Sequence, residues 1–143
     1  MLMNNEEVRK VIPHRPPIMM IDEIEEVEPL VSITGTWFAD PEWPIFKGHF
    51  PDQPLVPGVC SVECIAQTMS ACILMSEKYN GKTPIFAGID KVKFTGMIVP
   101  GDHVTTKVTI TNVDEKRDLV EGVGEVFVGD KLCTKATLLV APR

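Results

Sequence analysis

One acidic residue in an otherwise uncharged stretch is the first feature with chemical meaning. Between Pro54 and Ser76 the only charged side chain is that of Glu63. Burying a lone carboxylate is unfavourable unless it is paired or protonated, and a carboxyl group kept neutral suits general acid catalysis. The alternative is a helix residue whose head group reaches solvent. Glu63 is therefore a candidate general acid.

A histidine precedes this carboxyl group in a proline-rich loop. His49 stands between Gly48 and Phe50, and Pro51 restricts the backbone before it. A neutral imidazole can take a proton from a carbon atom beside a carbonyl group if that proton has been acidified. A purely structural hydrogen-bonding role is the alternative. His49 is the candidate general base, and it needs an acidifying group nearby.

Gly58 and Gln67 are candidates for supporting roles. Gly58 follows Pro57 at the predicted start of a helix, where N–H groups lack intrahelical partners and the helix dipole is positive. Without a Cβ atom, Gly58 lets a thioester oxygen approach and be stabilised there. Gln67 follows Glu63 by one helical turn, so its amide can orient the carboxyl group or simply face a loop.

The elements that position these residues follow from residue patterns. One long helix is predicted from Gly58 to Tyr79, because good helix formers run without interruption to Asn80-Gly81. Residues after Thr83 alternate as antiparallel strands do. The remaining predicted elements are a short helix over Glu6 to Val11 capped by Asn4 or Asn5, strands over Ile18 to Val27 and Ser32 to Phe38, and a shaped loop over Asp40 to Gly58 with five prolines. This order predicts an α+β fold, one sheet around one helix.

Composition narrows the class of protein. A chain of 143 residues with 44% apolar content is expected to form a single domain over residues 1–143. The net charge of −6 disfavours nucleic acid and anionic membranes as partners. The polar N-terminus is unlike a signal peptide, which predicts a cytoplasmic protein. The four cysteines lack C-x-x-C spacing, so neither disulfides nor a metal site is expected.

Several motifs, spread over nearly the whole chain, resemble those of the FabZ-type 3-hydroxyacyl-acyl carrier protein dehydratases. They are Pro13-His14-Arg15-Pro16-Pro17, Gly48-His49-Phe50-Pro51, Pro57-Gly58-Val59 with Glu63 and Ala66-Gln67, Phe86-Ala87-Gly88-Ile89-Asp90-Lys91, and Val99-Pro100-Gly101-Asp102. The resemblance implies the hot-dog fold, a long helix wrapped by a curved antiparallel sheet. It also implies dehydration of a (3R)-3-hydroxyacyl chain to the trans-2-enoyl product in type II fatty acid biosynthesis.

By the same resemblance, His49 and Glu63 match the catalytic pair, Gly58 the donor to the thioester carbonyl and Gln67 the residue that orients the glutamate. The pair would come from different subunits of a homodimer, with three dimers forming a hexamer. No metal or organic cofactor is implied, because phosphopantetheine arrives on acyl carrier protein. Lys91 and Lys93 are the carrier-docking candidates, with Lys47, Lys78 and Lys82 as further ones. His14 and Arg15 are interpreted as structural or near the carrier entrance, and His103 as a surface or strand-end residue.

Other functions remain open. Glutamate at position 63 favours FabZ over the FabA-type dehydratase/isomerases, which carry aspartate there, but a bifunctional dehydratase/isomerase is the main alternative. A hot-dog thioesterase and a non-catalytic acyl-binding subunit are less favoured, because both His49 and Glu63 are present. The chain departs from the usual family pattern over residues 40–46, in the loop expected at the tunnel entrance, and at Cys60, Ser61 and Cys64, whose small side chains either alter the acyl tunnel or pack the helix. The nearly all-round apolar helix also predicts an oligomer, in which a partner covers it.

Overall fold

The computed structural model describes residues 1–143 as one antiparallel sheet packed on one long helix. The helices are α1 (Asn5–Arg9) and α2 (Gly58–Leu74), with a 3-10 turn at Pro44–Lys47. The strands are β1 (Glu23–Glu28), β2 (Ser32–Phe38), β3 (Pro84–Phe94), β4 (His103–Asp114), β5 (Leu119–Val128) and β6 (Lys131–Pro142). Their order in the sheet is β1-β2-β4-β5-β6-β3, with every pair antiparallel. The predicted α+β class is confirmed.

The strands after Thr83 follow the predicted alternation. Along β4, Val104, Thr106 and Val108 are buried, and along β6, Thr134, Ala136, Leu138 and Val140 are buried. The predicted turn at Gly129-Asp130 joins β5 to β6, and Gly129 has a φ of 58°, a left-handed conformation that glycine adopts readily. The sheet therefore presents one apolar face to the helix.

Glycines in the sheet let helix α2 approach closely. A Cβ atom at Gly124 would overlap Ile65 Cγ2, and one at Gly122 would lie 3.0 Å from Met69 Sδ. Both Ile65 and Met69 are fully buried on α2. Strand β5 therefore has no side chains at these two contacts with α2, and the helix packs closely against its backbone without strain.

The first strand is shorter than predicted. It begins at Glu23 rather than Ile18. The buried backbone N–H of Met20 donates to Gln67 Oε1 at 2.6 Å, so a helix side chain, and not a neighbouring strand, supplies its partner. Further on, Asp22 accepts a hydrogen bond from the Phe38 N–H at 2.7 Å, and burial raises the pKa of Asp22. Residues 19–21 are therefore buried without forming part of a strand, and Ile18 before them is exposed.

Both helices end earlier than predicted, α1 at Arg9 and α2 at Leu74 rather than Tyr79. Asn4 caps α1 through its side chain. Beyond α2, the Asn80 side-chain amide donates to the Leu74 carbonyl at 3.2 Å. Local side chains thus satisfy the last carbonyl groups of the helix in place of further helical turns.

Burial of α2 corrects the reason given for expecting an oligomer. Thirteen of its residues are buried within the single chain, so its apolar surface needs no partner. Several exposed large apolar side chains instead lie on the edge strand β3, namely Ile85, Phe86, Ile89 and Phe94, and Val59 is exposed at the start of α2. No helix has both the length and the apolar character needed to cross a membrane.

Candidate active site

The Glu63 carboxyl group is held by a neighbour on the same helix. Gln67 Nε2 donates to Glu63 Oε2 at 2.8 Å and also to the Ile18 carbonyl at 2.8 Å. Because Gln67 Oε1 accepts from the Met20 N–H, every strong hydrogen-bonding group of this fully buried amide has a partner. The Glu63 side chain itself keeps 30% of its surface exposed. Gln67 thus holds one oxygen of a reachable carboxyl group.

The His49 ring has a defined orientation and tautomer. His49 Nδ1 lies 3.1 Å from the Leu55 carbonyl oxygen. Since a carbonyl oxygen only accepts, Nδ1 carries the proton and the lone pair of a neutral ring lies on Nε2. The ring stacks on Phe50 with centroids 4.1 Å apart, and the Leu55 N–H donates back to the His49 carbonyl. Loop packing thereby leaves Nε2 available as a base.

His49 opens onto a cavity of about 460 Å³. The walls are mainly apolar and include the beginning of α2 and the segment after β3; they comprise His49, Leu55, Val56, Pro57, Gly58, Val59, Ser61, Phe94, Gly96, Met97, Ile98 and Thr134. Ser61 and Thr134 are joined by a buried hydroxyl–hydroxyl bond of 2.7 Å. A cavity of this size, with an imidazole at one wall, suits an apolar ligand that carries one reactive group.

Gly58 lies in the same cavity wall as the first residue of α2. Its N–H has no backbone or side-chain acceptor within the chain, as expected for the first turn of a helix. A Cβ atom there would lie 2.9 Å from the Phe94 ring. Glycine therefore accommodates the aromatic ring and leaves a free donor at the positive end of the helix dipole.

His49 and Glu63 do not share this cavity within one chain. Ser61 faces the cavity, and Glu63 follows it by two residues, which on an α-helix is a rotation of about 200°. Glu63 is absent from the cavity walls, and its carboxyl group contacts Gln67 and His14 instead. The helix therefore separates the two candidate catalytic groups of a single chain.

The remaining candidates do not line this cavity. Lys91 and Lys93 are exposed at the end of β3, where the pairing with β6 is irregular and Lys91 has a φ of 52°. The His103 ring lies against that of Phe38, with ring centroids 4.9 Å apart and planes tilted by 34°. No group of three or more His, Cys, Asp or Glu side chains is placed to hold a metal ion.

His14 lies beside Glu63, which sequence reasoning missed. His14 Nε2 is 3.9 Å from Glu63 Oε2, although the residues are far apart in sequence. The only signal in the sequence was the proline-rich setting of His14, which restricts its backbone but does not indicate its neighbour.

Solved structures share this fold. The chain superposes with a TM-score of 0.81 on a chain of the dehydratase heterocomplex ApeI:P from Xenorhabdus doucetiae, covering 95% of this chain and 90% of that one at 14% identity. It superposes on Cj0977, a sigma28-regulated virulence protein from Campylobacter jejuni, with a TM-score of 0.73, covering 97% and 89% at 15% identity. These likenesses confirm the predicted hot-dog fold.

Other proteins are more similar to this chain in sequence than these solved structures are. The protein is 43% identical to the 3-hydroxyacyl-[acyl-carrier-protein] dehydratase FabZ of Natranaerobius thermophilus, over 94% of each chain. It is 38% identical to the FabZ of Clostridium beijerinckii, over 98% of this chain and 99% of that one. Residues 12–137 match the FabA-like domain family. The chain therefore belongs to the FabA-like family and, within it, to the FabZ-type dehydratases.

Proposed function

We propose that this protein removes water from a (3R)-3-hydroxyacyl chain carried on acyl carrier protein and releases the trans-2-enoyl product. The reaction would belong to type II fatty acid biosynthesis in the cytoplasm. One domain over residues 1–143 suffices for it. It uses no metal or organic cofactor, since the phosphopantetheine arm belongs to the carrier.

The observation that carries this proposal is the pairing of His49 with Gly58 in one apolar cavity. The Leu55 carbonyl fixes the proton on Nδ1, so Nε2 is available to remove the C2 proton. The free Gly58 N–H is suited to bind the thioester oxygen, on which negative charge develops as that proton leaves. The apolar walls accept the acyl chain.

The second proton transfer requires Glu63. As the C3–O bond breaks, the Glu63 carboxyl group gives its proton to the departing hydroxyl group and water is released. The carboxylate then regains a proton, and His49 returns its own to solvent, so the enzyme ends unchanged. Gln67 orients Glu63 through the bond at 2.8 Å.

A homodimer would assemble the complete site. Because α2 separates His49 from Glu63 in one chain, a second chain must supply the missing carboxyl group. The edge strand β3 pairs only with β6 and exposes Ile85, Phe86, Ile89 and Phe94, which is unfavourable for an isolated chain. We therefore propose a β3-edge dimer with two shared sites, three of which form a hexamer.

The defining experiment incubates the purified protein with 3-hydroxyacyl-acyl carrier protein and measures the mass and double-bond position of the product. Loss of one water to give only the trans-2-enoyl product is expected. A mixture with the 3-enoyl isomer would indicate the bifunctional alternative. Intact substrate or free thiol would contradict the proposal.

His49→Ala and Glu63→Gln should each abolish most turnover while the melting temperature stays near that of the wild type.

Mixing these two inactive variants tests the shared site. In a heterodimer of His49→Ala and Glu63→Gln subunits, one site carries both changes and the other carries neither. Co-refolded or co-expressed variants should therefore regain about a quarter of wild-type activity, from random pairing of subunits in a symmetric dimer. No recovery, or a monomer by light scattering, would contradict the shared site.

Carrier docking is proposed for Lys91 and Lys93, since an acidic carrier would be attracted to exposed cations on a chain that is otherwise negative. Reversing both charges with glutamate should raise KM for the carrier-bound substrate but not for a short pantetheine thioester. Lys116→Glu, at the exposed tip between β4 and β5, is the matched control. An equal KM change with both substrates would place the carrier elsewhere.

A further inference from the structure

His14 contacts the candidate acid from outside helix α2. It lies in the segment between α1 and β1, and its side chain is only 20% exposed. The Arg15 guanidinium holds this segment by donating to the carbonyl oxygens of Ile12, His14 and Arg9, at 2.9, 2.7 and 2.8 Å. The imidazole is therefore presented to Glu63 by an anchored backbone.

The surroundings of the ring determine which nitrogen carries its proton. Burial lowers the pKa of His14, opposed by Glu63, so the ring is neutral near neutral pH. Its Nδ1 atom is buried and has no hydrogen-bond partner. A proton on Nδ1 would be a buried, unpaired N–H donor, which is rarer in proteins than an under-used acceptor. The N–H therefore lies on Nε2 and faces Glu63 Oε2, 3.9 Å away.

Two donors thus converge on the same carboxyl oxygen. Gln67 Nε2 donates to Oε2 at 2.8 Å, and His14 Nε2 lies 3.9 Å from the same oxygen on the segment before β1. When a carboxyl group whose Oε2 only accepts is protonated, its proton lies on Oε1. The separation of 3.9 Å is longer than a hydrogen bond, so the His14 N–H acts mainly when Oε2 becomes negatively charged and draws it closer.

We propose that His14 is a positioning residue for the dehydration step: with Gln67 it keeps Glu63 Oε2 as an acceptor, presents the Oε1 proton to the leaving hydroxyl, and stabilises the carboxylate left behind. The inference rests on the proposed dehydratase function. In this role His14 acts through Glu63 Oε2 and not on the substrate itself. Its removal therefore lowers kcat and leaves KM unchanged, because the stabilised charge exists only after proton transfer begins.

The test compares three substitutions of this histidine in the full-length protein acting on 3-hydroxyacyl-acyl carrier protein. His14→Leu removes the donor, His14→Gln places an amide N–H near the Nε2 position, and His14→Asn places one near the Nδ1 position. For His14→Leu and His14→Asn we expect kcat to fall by about 10- to 100-fold, the range for one hydrogen bond to a charged group. His14→Gln should recover most of the loss. His103→Leu, a histidine away from the site, is the matched control.

The outcomes separate this inference from the proposed function. If the wild-type protein forms no enoyl product, the proposed function fails and takes the role of His14 with it. If the wild type is active and His14→Leu stays within about twofold of it, the role of His14 alone is overturned. Equal losses in the Leu, Asn and Gln variants, accompanied by lower melting temperatures, would indicate a merely structural histidine and would also overturn it.

Discussion

Gln67 links the stability of the fold to the candidate site, so its substitution by leucine has two separable consequences. The amide is fully buried and satisfies the Met20 N–H, the Ile18 carbonyl and Glu63 Oε2. Leucine has a similar size but neither donates nor accepts. The buried Met20 N–H loses its partner, and the carbonyl of Ile18, a residue that is itself exposed, loses one donor. One buried unsatisfied group is therefore created.

The expected loss of stability follows from that single group. An unsatisfied buried donor costs about 1–3 kcal/mol, which for a chain of this length corresponds to a melting temperature lower by about 3–10 °C. The comparison must be made at equal protein concentration, because self-association adds to the apparent stability. Gln53→Leu is the matched control, since Gln53 is exposed and its side chain makes no hydrogen bond.

The catalytic consequence is measured by the rate of dehydration. Loss of the bond to Glu63 should lower kcat by about 10- to 100-fold, less than the loss in His49→Ala or Glu63→Gln. If Gln67 acts through the carboxyl group, Gln67→Leu should have little further effect in a Glu63→Gln background. Unchanged stability, or the same fold loss in both backgrounds, would refute the reasoning.

Three further predictions concern packing and titration. Gly124→Ala should destabilise the fold by about 1–3 kcal/mol in urea unfolding, because its Cβ meets Ile65, whereas Gly48→Ala, with open space around it, should not. Burial raises the pKa of Asp22 above 3.8, so the folded state binds that proton more tightly and Asp22 stabilises the fold less as pH rises through its folded-state pKa. Asp22→Asn should therefore gain stability relative to the wild type between about pH 3 and pH 7 in urea titrations, and a constant difference would contradict this. Burial also raises the pKa of Cys64 to about 12, so iodoacetamide at about pH 8 should leave it unmodified, by peptide mass, until the protein is unfolded.

The sequence by itself determined the architecture, because local patterns specify it. Two-residue alternation predicted the strands after Thr83, and the uninterrupted run of helix formers predicted α2 from Gly58. Strand β2 has the predicted bounds. The candidate residues were also visible, since a lone Glu63 in an apolar run and a proline-framed His49 are anomalies within short windows. Their catalytic roles remain predictions.

Tertiary structure alone decided what crosses between elements. Strand β1 begins only at Glu23, because the N–H of Met20 before it donates to the side chain of Gln67, which is distant in sequence. The same holds for His14 beside Glu63 and for the Leu55 carbonyl that sets the His49 tautomer. Glu63 and the cavity lie on different sides of α2, and this separation depends on how the sheet and loops pack around the helix. Such relations arise from long-range packing, which brings together groups that no local periodicity connects.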